Sequence, residues 1–149
     1  MWTRCFIVLF GLMTWATSLQ AERPLSEFHR IEIAPTKTSI YIGSVTMTMP
    51  TFVRAGSSYS STYYAKVFPY FFSSERGTLS IDATDEMVRK LERGEVVAFS
   101  GHGLCSDGSP RKIEGRAVPT DALSGKIKVR VFVSKRIQLI FNTTYRFTK

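Results

Sequence analysis

The chain opens on one unbroken apolar run and then changes to a period of two. Phe6, Ile7, Val8, Leu9, Phe10, Leu12, Met13 and Trp15 follow Met1-Trp2-Thr3-Arg4, which holds one cation and no acid, and precede the small and polar Ala16-Thr17-Ser18. A charged start, a short apolar centre and a small-residue exit predict a secretory signal peptide helix. The run is shorter than the ~20 apolar residues of a bilayer span. Its exit, Leu19-Gln20-Ala21-Glu22-Arg23-Pro24, carries no basic stop-transfer flank. Ala16-x-Ser18 and Leu19-x-Ala21 both suit cleavage. A cut after Ala21 makes 1–21 the signal peptide and leaves 22–149 as a single β-rich domain.

Past the leader, alternation predicts strands. The strongest signal is the C-terminal pair. Ile127, Val129, Val131 and Val133 alternate with Lys126, Lys128, Arg130 and Phe132, and Ile137, Leu139, Phe141, Thr143, Tyr145 and Phe147 alternate with Gln138, Ile140, Asn142, Thr144 and Arg146. Joining them through Ser134-Lys135-Arg136 sets Val131 against Leu139 and Val129 against Phe141, which keeps both apolar sets on one face. Earlier strands are expected over 28–33, 38–49, 62–72, 78–82, 95–100 and 112–118. An apolar parity slip at Gly43 predicts a bulge or bend, and loops are expected over 54–61 and 101–110. One segment switches to a helical period: Thr84 to Arg93, with acids in its first turn, Met87, Val88 and Leu91 on one face, and Gly94 as its C-terminal stop.

The expected fold is therefore mainly β, a small antiparallel β-barrel or β-sandwich with one short α-helix at about 84–93. In element order alone, strands and then a helix, it resembles a five-stranded oligonucleotide/oligosaccharide-binding barrel. Fold by itself assigns no function.

Composition narrows the setting. The formal charge is +8, which draws a protein to anionic partners. Of the two cysteines, Cys5 belongs to the leader, so Cys105 has no intramolecular partner and no disulfide framework is expected. The expected product is secreted or periplasmic and has no transmembrane anchor. Its expected partners are anionic polysaccharide, lipid headgroups or another envelope protein, ahead of nucleic acid. No cofactor and no metal site is expected.

Three groups of residues could carry chemistry. The aromatic run with its neighbouring cations, Arg54, Tyr59, Tyr63, Tyr64, Lys66 and Tyr70, could stack on sugars and attract anions, although such residues also fill barrel walls. Lys126, Lys128 and Arg130 form a period-two basic stripe on one strand face. His102 and Cys105 share a glycine-rich segment in which an imidazole could activate a thiol. Asp107 beside them makes only three potential zinc ligands. The leading reading is a non-enzymatic exported β-domain binding an anionic or carbohydrate-like ligand. The alternatives are a small hydrolase or redox protein using Cys105 and His102, and a barrel carrying a small apolar ligand.

Overall fold

The alternating segments become ten strands, and their apolar parity becomes the inside of a closed wall. The computed structural model describes residues 28–149; the predicted leader lies outside them. The strands are β1 (Arg30–Ile33), β2 (Thr36–Ile40), β3 (Gly43–Thr48), β4 (Phe52–Ala55), β5 (Ser58–Phe68), β6 (Glu75–Asp82), β7 (Val97–Cys105), β8 (Pro110–Pro119), β9 (Ser124–Phe132) and β10 (Gln138–Thr148). One helix, α1 (Asp85–Glu92), joins β6 to β7.

The first four strands are two interrupted ones. Arg30↔Val53, Ile31↔Phe52, Thr36↔Met47 and Ile40↔Gly43 keep one register throughout. Ala34-Pro35 and the segment around Pro50 break a single long hairpin, because proline offers no N–H to the ladder. Against β5 the pairing moves from Thr48↔Tyr64 to Val53↔Ser60, five residues against four. The extra residue is a bulge beside Pro50. With each interrupted strand counted once, eight antiparallel strands run up and down in chain order and close where β10 meets β1. The fold is a barrel and not a sandwich. It has neither the five strands nor the topology of the binding barrel that its element order resembles.

The predicted hairpin forms as expected. Val131 faces Leu139, Val129 faces Phe141, and Val133 N–H donates to Ile137 O at 3.0 Å across the Ser134-Lys135-Arg136 loop. Other boundaries differ. Gly43 is not a bulge inside one strand. At φ +116° it follows the two-residue reversal Tyr41-Ile42 between β2 and β3, a conformation glycine adopts freely. The expected 54–61 loop shrinks to a tight Gly56-Ser57 turn between paired strands. The expected 101–110 loop is mostly strand: Gly101 to Cys105 belong to β7. Gly101 faces inward, where a Cβ would sit 2.4 Å from Ser80 O. That glycine permits close strand approach and does not mark a turn.

Phe52, Tyr59, Phe141 and Val88 are the largest fully buried side chains. The helix plugs one end of the barrel. The Thr84 hydroxyl caps it by accepting from Met87 N–H at 3.3 Å, Gly94 stops it at φ +81°, and Val88 and Leu91 are buried with Met87 packed beside them. Burial of each such side chain favours this docking by about 1.5–3 kcal/mol. Arg54 on β4 ties down the helix start by an ion pair with Asp85. Among the described residues the opposite end carries no α-helix. It is ringed by the loops at 41–42, 69–74, 106–109 and 133–137.

Candidate functional site

The basic stripe of β9 lies on the outer wall, and the neighbouring strands widen it. Lys126, Lys128 and Arg130 are all exposed. Arg116 on β8 stands directly across from Lys128, and Asn142 on β10 flanks Lys128 on the other side. Val118 and Thr144 bracket Lys126 in the same way. The alternation that turns Ile127, Val129 and Val131 inward is what turns these cations outward. Like charges directly across a ladder repel. Among the described residues no carboxylate lies within ion-pair distance of Arg116, Lys126, Lys128 or Arg130. Glu114, opposite Arg130, pairs at 2.8 Å with Lys112 instead. The wall thus presents a shallow groove between Arg116, Lys126, Lys128, Asn142 and Thr144, with Val118, Ile127 and Thr143 also in its lining. It suits phosphate, sulfate or carboxylate groups spaced along a polymer.

The aromatic run divides between the two sides of the wall. Tyr59 and Tyr63 are buried in the core, so they do not reach a ligand on the outer face. Tyr59 donates its hydroxyl to Phe28 O at 2.8 Å. Arg54 is largely buried, 5.6 Å from the Tyr59 ring centroid and engaged with Asp85. It holds the helix in place and does not extend into solvent. Tyr64 and Lys66 face outward on β5, and Tyr70 lies in the loop beyond it. Arg76 covers the Tyr64 ring at 5.8 Å and Lys66 the Phe71 ring at 5.3 Å. The split follows from parity: odd positions 59, 63 and 65 are inside, and even positions 64, 66 and 68 are outside.

His102 and Cys105 are not brought together. They are three residues apart on a strand, so they project from opposite faces: His102 is exposed and Cys105 is buried. The partner of Cys105 is the Tyr63 hydroxyl, 3.0 Å from its sulfur. Burial pushes the Cys105 thiol up, and the nearby Glu75 carboxylate adds to that effect. Cys105 is a free thiol inside the wall. This environment disfavours the thiolate that a nucleophile requires.

Around that thiol lies a cluster that sequence reasoning missed. Tyr63 donates to Glu75 Oε1 at 2.9 Å, and Arg111 meets both Glu75 oxygens, from Nη2 at 2.8 Å and from Nε at 3.3 Å. Burial opposes ionisation of Glu75, but the donors from Arg111 and Tyr63 outweigh it and hold the carboxyl below its usual range. Burial also raises the Tyr63 phenol well above its usual range. Only the odd positions of Glu75, Cys105 and Arg111, matching the inward parity of their strands, could have pointed to this cluster.

The interior is otherwise filled. It keeps two apolar cavities of about 50 Å³ and about 30 Å³, far below the ~300 Å³ at which small-molecule pockets begin. The charged outer wall is also the reverse of a membrane-spanning barrel, whose lipid-facing band is apolar. No three His, Cys, Asp or Glu side chains converge as a metal set among the described residues, and no described helix is long and apolar enough to cross a membrane. Compared with protein-family models, with curated proteins and with solved structures, the chain matches none.

Proposed function

We propose that this protein is an exported, non-enzymatic β-barrel that holds a polyanionic polymer, such as an acidic or sulfated polysaccharide of the envelope or extracellular space, against the outer wall of β8, β9 and β10. The observation that carries this reading is Arg116 facing Lys128 across the ladder with no acid among the described residues to neutralise either. A cross-strand pair of like charges costs stability, and an anionic ligand offsets that cost. Charge complementarity of this kind governs capture rate and salt response more than shape-specific affinity.

The test is the salt dependence of binding to a sulfated polysaccharide. In Arg116→Gln/Lys128→Gln, two ligand-facing cations are lost, and the slope of log K against log salt falls by about 1.5 to 2. The matched change at the helix end, Arg89→Gln/Arg93→Gln, removes the same net charge and leaves that slope within about 0.5 of the parent. Equal effects from both variants would refute a localised site and leave only diffuse attraction.

A further inference from the structure

The rim of the barrel opposite the helix carries a second surface, separate from the basic wall. The Tyr41-Ile42 reversal and the Pro69 to Ser74 loop lie side by side there, because Ser44 pairs with Phe68 at the ends of β3 and β5. Their apolar side chains are not folded away. Tyr41 is fully exposed, Phe72 is 87% exposed, and Ile42, Phe68 and Phe71 are each more than half exposed. Phe68 packs edge-on to Phe71 at 5.7 Å, and Tyr70 packs on Phe72 at 5.8 Å, so the rings form two supported pairs. Ile137, also more than half exposed, adds to the same rim from the β9–β10 loop.

Cations stand close behind these tips. Lys66 lies over Phe71, Lys37 is exposed on β2, and Lys135-Arg136 occupies the β9–β10 loop. Across the four rim loops the only acid is Asp107. Asp82, Asp85, Glu86, Glu92, Glu95 and Asp121 sit at the far end, together with the cations Arg54, Arg89, Lys90 and Arg93. The tip is therefore apolar and basic, whereas the helix end carries charges of both signs.

We propose that this rim docks on an anionic lipid bilayer, with Tyr41, Ile42, Phe71 and Phe72 entering the interface and Lys66, Lys135 and Arg136 meeting the headgroups. Aromatic rings favour the headgroup level of a bilayer. Lys and Arg beside such a surface add attraction that fades within a Debye length. The charge arrangement favours lipid over a protein partner: protruding rings backed by cations match a flat anionic surface. The helix end faces away from the membrane in this pose, and the wall of β8–β10 stays free along the side.

Flotation with lipid vesicles tests the docking. The chain from residue 22 onward is used, since residues 28–149 close the whole barrel by themselves. The parent floats with vesicles of phosphatidylcholine mixed with phosphatidylglycerol and not with phosphatidylcholine alone. Tyr41→Ser/Phe72→Ser lowers the partition coefficient at least about tenfold, whereas the wall variant Arg116→Gln/Lys128→Gln changes it less than about threefold. Far-UV dichroism and the thermal midpoint confirm that both variants fold. As a second readout, Phe72→Trp places a lone indole in this chain, because Trp2 and Trp15 both precede residue 22. Its emission shifts to the blue and is quenched by brominated lipid in the mixed vesicles. A parent that does not float, a serine variant that floats like the parent, or an unquenched indole overturns the proposal. So does a parent dimer that the serine variant converts to monomer, since the rim's occupant would then be a second copy of the chain. A parent that floats with the mixed vesicles but does not bind the sulfated polysaccharide refutes the wall reading alone.

Discussion

Arg111 reaches Glu75 over a strand that lies between them. Arg111 is on β8 and Glu75 on β6, and β7 separates them in the ladder. Arg111 pairs with Gly103 on that middle strand. A Cβ at Gly103 would come within 3.3 Å of the Arg111 Cβ and 2.8 Å of the Leu79 side chain. With no side chain there, the guanidinium crosses to Glu75 at 2.8 Å and closes the polar cluster beneath the rim.

Removing the cation should therefore cost more than a surface ion pair does. Arg111→Met leaves the Glu75 carboxylate under the rim with Tyr63 as its remaining donor. Breaking a fully buried pair costs about 3–5 kcal/mol, and the partial exposure of Glu75, 30% of its side chain, reduces this to about 1–3 kcal/mol. Urea unfolding of Arg111→Met and of the double variant Arg111→Met/Glu75→Gln measures it. The double variant should recover part of the loss, because no charge is then stranded.

The same cluster sets the pH response. Glu75 ionises more readily when folded than when unfolded. Its contribution is present above the ordinary glutamate pKa of about 4.3 and is lost as pH falls through the lower folded value. Cys105 and Tyr63 shift the other way, toward the neutral form. Their contribution is intact below the ordinary thiol pKa of about 8.5 and is lost as pH rises beyond it. Thermal midpoints across pH should thus form a plateau with a fall on each side. Glu75→Gln should flatten the acid side, and Cys105→Ala should lessen the alkaline fall.

Cys105 should behave as a structural thiol. Iodoacetamide should modify it at least about a hundredfold more slowly in the folded protein than in denaturant, since attack requires the wall to open. His102→Ala should leave that rate unchanged, because the imidazole projects from the other face. Fast native alkylation that responds to His102 would restore the nucleophile reading.

Phe99 lies over Gly115 in the next strand. A Cβ on Gly115 would fall 2.1 Å from the Phe99 ring, so the ring covers the bare backbone there. Gly115→Ala should destabilise the barrel by about 1–3 kcal/mol. Phe99→Leu alone should cost less than about 2 kcal/mol, and the double variant should be more stable than the sum of the two predicts. Strict additivity in calorimetry would show that the two do not interact.

Local pattern alone determined much of this protein. The β class, the helix at about 84–93, the register of Val129 on Phe141 and the outward Lys126-Lys128-Arg130 stripe all follow from periods of 2 and 3.6, because those periods decide which side chains share a face. The tertiary structure decided what depends on strands distant in sequence. Closure through β1 and β10 made the fold a barrel, while the register between neighbouring strands set Arg116 across from Lys128. The fold gathered Tyr63, Glu75, Cys105 and Arg111 from four strands, and it placed the Tyr41 turn beside the Phe71-Phe72 loop. Glycines such as Gly101 and Gly103 were misread as loop residues for the same reason. What excludes a side chain there is the backbone or side chain of a neighbouring strand, and local composition carries no trace of that neighbour.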